Sequence, residues 1–165
     1  MGVLLICSCS SNKGKEYIHL VGDVVENIQM ASGDEVSVPY TEEGGVKLID
    51  VMINGAIKVK MIVDSGCSDM LIFADEANFL YKQGAISESD ITGINEAAIA
   101  DGSIVETMGV NLKEVVVGDK LRFTNVEASV SNSCNAPLLL GNSFLDRIAT
   151  YKVDTKNKVI TFTID

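Results

Sequence analysis

The 165-residue chain has a single histidine, His19, in a weakly patterned stretch near its start. Ser-His-Asp and Cys-His mechanisms therefore lack their general base, and hydrolytic metal centres lack their usual ligand. Basic charge is scarce too: 13 Lys and Arg stand against 23 Asp and Glu, a formal net charge of −10. With no basic block, the composition argues against nucleic acid and anionic membrane surfaces as partners. Neither G-x-x-x-x-G-K-[ST] nor G-x-G-x-x-G occurs, so nucleotide phosphates have no evident cradle. No apolar run is long enough to span a bilayer. Four cysteines do not make a disulfide scaffold in a chain of this size. Cys67 and Cys134 lack the C-x-x-C spacing of a zinc site and read as small buried hydrophobes.

What is present is apolar and strand-like. Hydrophobic residues make up 47% of the chain, which suits one compact domain with a core of its own. Residues 1–13, "MGVLLICSCSSNK", are a short apolar run followed by Cys and Ser. They read either as the truncated end of a secretory or lipoprotein leader, with Cys9 as the acylated residue, or as a plain apolar N-terminus. The first reading places the protein in the cell envelope, periplasmic or lipid-anchored, and the second leaves it cytoplasmic. Residues 14–35 are weakly periodic and read as a linker or peripheral strand.

From Val36 onward, short strands follow one another. Val46 to Ile53 and Ile57 to Val63 flank Asn54-Gly55, the strongest short hairpin signal, because a type I′ turn needs positive φ at both central positions. Along the second strand Ile57, Val59, Met61 and Val63 share one face while Lys58 and Lys60 take the other. "FADEANFLYKQG" predicts a short helix with Phe73, Ala77 and Leu80 at helical spacing. Asp101-Gly102 predicts a second hairpin, "GDK" a turn between two further strands, "APLLLGNSFLDR" a strand followed by a helical turn or two, and the C-terminal segments a final pair across "TKNK". Eight or nine strands with little helix predict an all-β barrel and no second domain.

One carboxylate stands out. The strand ending at Val63 delivers Asp64 into "IVDSGCSDMLI", which returns at once to apolar residues. Buried aspartate is rare unless paired or hydrogen-bonded. Asp64 is thus either a turn residue or a group held for chemistry, and carboxylate chemistry is what the absences above leave.

"IVDSGCS" resembles the hydrophobic-hydrophobic-Asp-[Ser/Thr]-Gly active-site motif of aspartic proteases, and "LLLG" at Leu138 to Gly141 resembles the hydrophobic-hydrophobic-Gly that follows it in retropepsins. The order of elements over residues 36–165 is similar to that of the bacterial retropepsin-like aspartic proteases. The resemblance implies a retropepsin-like closed barrel of short antiparallel strands with one or two short helices, an endopeptidase activity on peptides or proteins, no cofactor and no metal. It also implies a homodimer, since the chain holds one Asp-Ser-Gly and the family's site needs two aspartates. In that reading Asp64 is catalytic, Ser65 and Gly66 support it, and Asp101, Gly102 and Ser103 form the tip of a flap over the substrate. Leu139, Leu140 and Gly141 back the catalytic loop or line substrate pockets, unless they are plain core. Ile99 and Ile104 on the flap suggest apolar side chains beside the scissile bond. Two departures are visible: Cys67 replaces the commoner alanine after Gly66, and Asn142 follows Gly141 where retroviral members carry arginine, the nearest being Arg147. The competing reading is a non-catalytic peptide-binding or assembly module of the cell envelope with the same fold.

Overall fold

The computed structural model describes residues 31–99, 101–132 and 137–164. The expected leader, most of the 14–35 segment, the lipidation candidate Cys9, and Cys7, His19 and Cys134 lie outside the described residues.

The described chain runs β1 (Glu35–Pro39), β2 (Thr41–Glu43), β3 (Val46–Ile53), β4 (Ile57–Val63), β5 (Met70–Phe73), α1 (Ala74–Lys82), a 3-10 turn (Glu88–Asp90), β6 (Ile91–Ala98), β7 (Ile104–Val117), β8 (Leu121–Ser131), β9 (Leu139–Leu140), α2 (Asn142–Leu145), β10 (Ile148–Asp154) and β11 (Val159–Ile164). The Asn54-Gly55 turn forms as predicted, with φ of +49° and +62°. Asn54 does more than turn the chain. Its side chain accepts from Glu114 N at 2.9 Å and donates to Ala85 O at 3.0 Å, which ties the hairpin to β7 and to the end of the helical segment. In β4, Ile57 and Met61 are fully buried. Lys58 and Lys60 point the other way, to Asp119 and Thr41.

The large sheet is ordered β2-β3-β4-β9-β5-β8-β7-β6, and an extra β3–β7 pairing joins its two halves, closing a ring of six strands: β3, β4, β9, β5, β8 and β7. This is the expected closed all-β ring, with two refinements to the pattern of short antiparallel strands. The β4–β9 and β5–β8 pairings are parallel, because each links strands distant in sequence and no tight turn dictates their direction. Strands β7 and β8 are long, at 14 and 11 residues; they pair with each other over Met108–Val117 of β7, and β7 extends to Ile104 alongside β6. Phe73 ends β5 rather than starting the helix, and the Glu76 carboxylate reaches back to accept its N–H at 3.3 Å.

A separate antiparallel sheet, β1-β11-β10, packs on the barrel. Phe162 of β11 and Phe144 of α2 are fully buried, with Phe144 edge-on to Phe162 at 6.1 Å and to Phe123 of β8 at 4.8 Å. Burying side chains of this size contributes about 1.5–3 kcal/mol each. Helix α2 is therefore anchored from below by its own phenylalanine.

Candidate active site

Strand β9 fixes the end of β4. Leu140 lies beside Val63 in parallel register, Ile62 N donates to Leu138 O at 2.9 Å, and Asp64 N donates to Leu140 O at 3.1 Å. The chain then turns tightly: Gly66 N donates to Asp64 Oδ1 at 2.8 Å and Cys67 N to Asp64 O at 3.3 Å. Asp64 is half-buried, and Ser65 and Gly66 are exposed. Asp64 is thus a turn residue whose carboxylate is held in place by the Gly66 N–H. Glycine here serves closeness, not a special dihedral angle: a Cβ on Gly66 would lie 3.2 Å from Asp64 Oδ1, so the carboxylate would have to shift by a few tenths of an ångström.

The loop is clamped from its other side by α2. Asn142 N donates to Cys67 O at 2.8 Å, Ser143 N to Ser68 O at 2.9 Å, and Asn142 Nδ2 to Ser65 O at 3.2 Å. The Ser143 hydroxyl accepts from Met70 N at 2.8 Å and donates to Glu127 O at 2.7 Å, so one side chain joins β5, α2 and β8. Ser129, buried on β8, donates to Asp69 Oδ2 at 2.8 Å. Gly141 explains the glycine of LLLG: a Cβ there would fall onto the carbonyl oxygens of Asp69 and Cys67, the latter 2.6 Å away. Leu140 is fully buried and is core, while Leu139 is half-buried opposite Leu71.

Burial pushes the Cys67 thiol above its ordinary value; the Asp64 and Asp69 carboxylates push it the same way, against the backbone hydrogen bond from Asp69. The thiol beside the aspartate is therefore kept protonated and is a weak nucleophile.

The flap residues sit apart from this cluster. Ile99 N donates to Ser103 O at 2.9 Å and Gly102 N to Ile99 O at 2.8 Å, and Gly102 takes a positive φ of +83°. Asp101 Oδ1 accepts from Ser103 N at 2.8 Å and from Ser103 Oγ at 2.7 Å, and these bonds hold the Asp101 carboxyl below the usual range. Among the described residues, the hydrogen bonds of Asp101, Gly102 and Ser103 stay within the hairpin.

The structure brings Asp64, Ser65, Gly66, Leu139, Leu140 and Gly141 together. The residue pattern gave no role to Ser143, Asp69 or Ser129; Ser143 and Asp69 had nearness to the two motifs as their signal, and Ser129 had none. Arg147 does not substitute for the arginine of retroviral members: its guanidinium lies over the Phe123 ring, 5.9 Å from the centroid, and donates to Thr124 O at 2.8 Å.

A six-stranded ring with an Asp-Ser-Gly loop clamped behind a Leu-Leu-Gly strand defines the retroviral-type aspartyl protease class. Residues 49–147, more than half of the chain, match the sequence model of the family described as "gag-polyprotein putative aspartyl protease", and the chain belongs to that family. The fold is shared with the crystal structure of a retropepsin-like aspartic protease from Rickettsia conorii, at a TM-score of 0.58 and 22% identity over 79% of this chain and 91% of that one. No curated protein matches the chain.

Proposed function

We propose that this protein is an aspartic endopeptidase whose working unit is a homodimer, with one Asp64 from each copy forming the catalytic pair. The observation that carries this reading is the single Asp-Ser-Gly loop, in which a half-buried carboxylate is held by the Gly66 N–H and locked between β9 and α2. Each chain supplies one such aspartate, and the chemistry needs two.

Two carboxylates brought near contact cannot both ionise cheaply, so they share one proton and titrate as a unit. The ionised member draws a proton from a water molecule while the protonated member polarises the scissile carbonyl; the proton then passes to the leaving amine. Water adds to the carbonyl carbon, the C–N bond breaks, and no covalent enzyme intermediate forms. In this scheme the Ser65 hydroxyl braces one loop against its twin, and the hairpin tip at Asp101, Gly102 and Ser103 covers an extended peptide.

The test is Asp64→Asn. An amide can neither deprotonate water nor share the proton, so cleavage of a mixed peptide library at mildly acidic pH is expected to vanish while the fold persists. Turnover within a few-fold of wild type contradicts the proposal. A wild-type protein that binds extended peptides and leaves them intact would instead support the binding-module reading.

A further inference from the structure

The loop that holds Asp64 has a second bond on the far side of the same peptide group. Gly66 N–H, which donates to Asp64 Oδ1 at 2.8 Å, and the Ser65 carbonyl, which accepts from Asn142 Nδ2 at 3.2 Å, belong to one planar amide. With a donor on its carbonyl edge, that amide is fixed against rotation about its flanking bonds. A loaded carbonyl also polarises the amide and makes its N–H a stronger donor. Asn142 is itself immobile, because its N–H donates to Cys67 O at 2.8 Å and it follows Gly141, where the packing admits no Cβ.

We propose that Asn142 is a positioning residue for Asp64, acting through the Ser65–Gly66 peptide plane. It supplies to this chain, by a neutral amide on a backbone carbonyl, a brace on the catalytic loop that Arg147 does not provide. The inference rests on the aspartic-protease reading. Its neighbour Ser143 bonds elsewhere, through its hydroxyl to Met70 N of β5 and Glu127 O of β8 and through its N–H to Ser68 O, and none of these bonds is to the Ser65–Gly66 plane. That difference makes Ser143 the control.

The experiment compares Asn142→Ala, Asn142→Asp, Ser143→Ala and Asp64→Asn as full-length chains, by kcat and KM across pH and by thermal melting. For Asn142→Ala, kcat is expected to fall about tenfold, the size typical of losing a group that orients a catalytic one. Its acidic limb should move to higher pH, because the ionised form of the pair loses support, while KM changes little. Ser143→Ala should lower the melting temperature and leave the acidic limb in place. Asn142→Asp keeps the size of the side chain but sets a carboxylate against the Ser65 carbonyl; its activity relative to wild type should rise as the pH falls through about 4, where the new carboxyl regains a donor. Wild-type kcat and limb in Asn142→Ala would overturn the proposal, as would an equal kcat loss in Ser143→Ala with both limbs unmoved. If Asn142→Ala does not fold, absence of acid recovery in Asn142→Asp overturns it. Retained turnover in Asp64→Asn would instead bring down the parent reading, whereas an inactive Asp64→Asn beside an unaffected Asn142→Ala removes only this inference.

Discussion

The segment from Asp64 to Met70 and the hairpin from Ile91 to Val110 are built on opposite plans. In the first, backbone groups of residues 64, 65, 67, 68 and 70 bond to β9 or α2. In the second, the described bonds at the tip stay within the hairpin, and Ile94 and Ile104 are 76% and 66% exposed. No Lys or Arg occurs between Ile91 and Leu112, and Glu96 lies directly opposite Glu106 in the ladder, a like-charge pairing that weakens it. Where the hairpin meets the barrel, a register shift falls between Ile91 and Gly93, and Gly93 faces Gly109. Local stability follows the density of such contacts, and segments that must move are drawn from its low end. The difference fits a division of labour under the proposed function: a tightly bonded loop would fix the reacting group, and a loosely bonded hairpin would govern access to it.

Substitutions that respect or violate this division should separate cleanly. The largest effect belongs to Gly141→Ala, because the added Cβ meets backbone oxygens of Asp69 and Cys67 that have no freedom to move. A loss of about 3 kcal/mol in urea unfolding, together with loss of cleavage, is expected. Ser143→Ala comes next: Met70 N–H loses its acceptor, for about 2 kcal/mol. On the hairpin, Gly102→Ala forces a side chain onto a φ of +83°, a local strain of about 1 kcal/mol that should appear in KM rather than in the melting temperature. A melting shift there as large as that of Ser143→Ala would erase the contrast between the two regions.

The smallest effect is at Asp101. Its carboxyl is held below its ordinary value by Ser103, so the turn's contribution is fully present above the unfolded carboxylate value and is lost only as the pH falls through the lower folded one. The turn therefore stays formed across the mildly acidic range in which the proposed shared-proton pair would work. Asp101→Ala should leave the melting temperature unchanged and raise KM modestly at mildly acidic pH, with the difference from wild type fading under stronger acid. A difference that grows on acidification would contradict the assignment of the turn.

Much of this contrast was legible from the residues. The Asn54-Gly55 hairpin and the strand that delivers Asp64 were readable because each is set by local chemistry, positive φ and alternation of period two; Gly141 was singled out only by the resemblance of LLLG to a family motif, and its lack of space is seen in the fold. The parallel β4–β9 pairing and the Ser143 clamp were not readable, because they join residues distant in sequence and a lone serine carries no pattern. Asp101-Gly102 was readable as a turn, but the bonds from the Ser103 hydroxyl and N–H to the Asp101 carboxylate were not, since a serine two residues on carries no pattern of its own.

The central claim, that a complete site needs two chains, is tested most directly by mixing. Wild-type chains are co-refolded with increasing amounts of Asp64→Asn chains and cleavage of a peptide reporter is measured, with subunit exchange confirmed independently. Heterodimers would hold one carboxylate and one amide, so activity should follow the square of the wild-type fraction, about one quarter at equal mixing, provided both chains dimerise equally well. Activity proportional to the wild-type fraction would mean that each chain carries a whole site, and Asp64 would not be half of a pair.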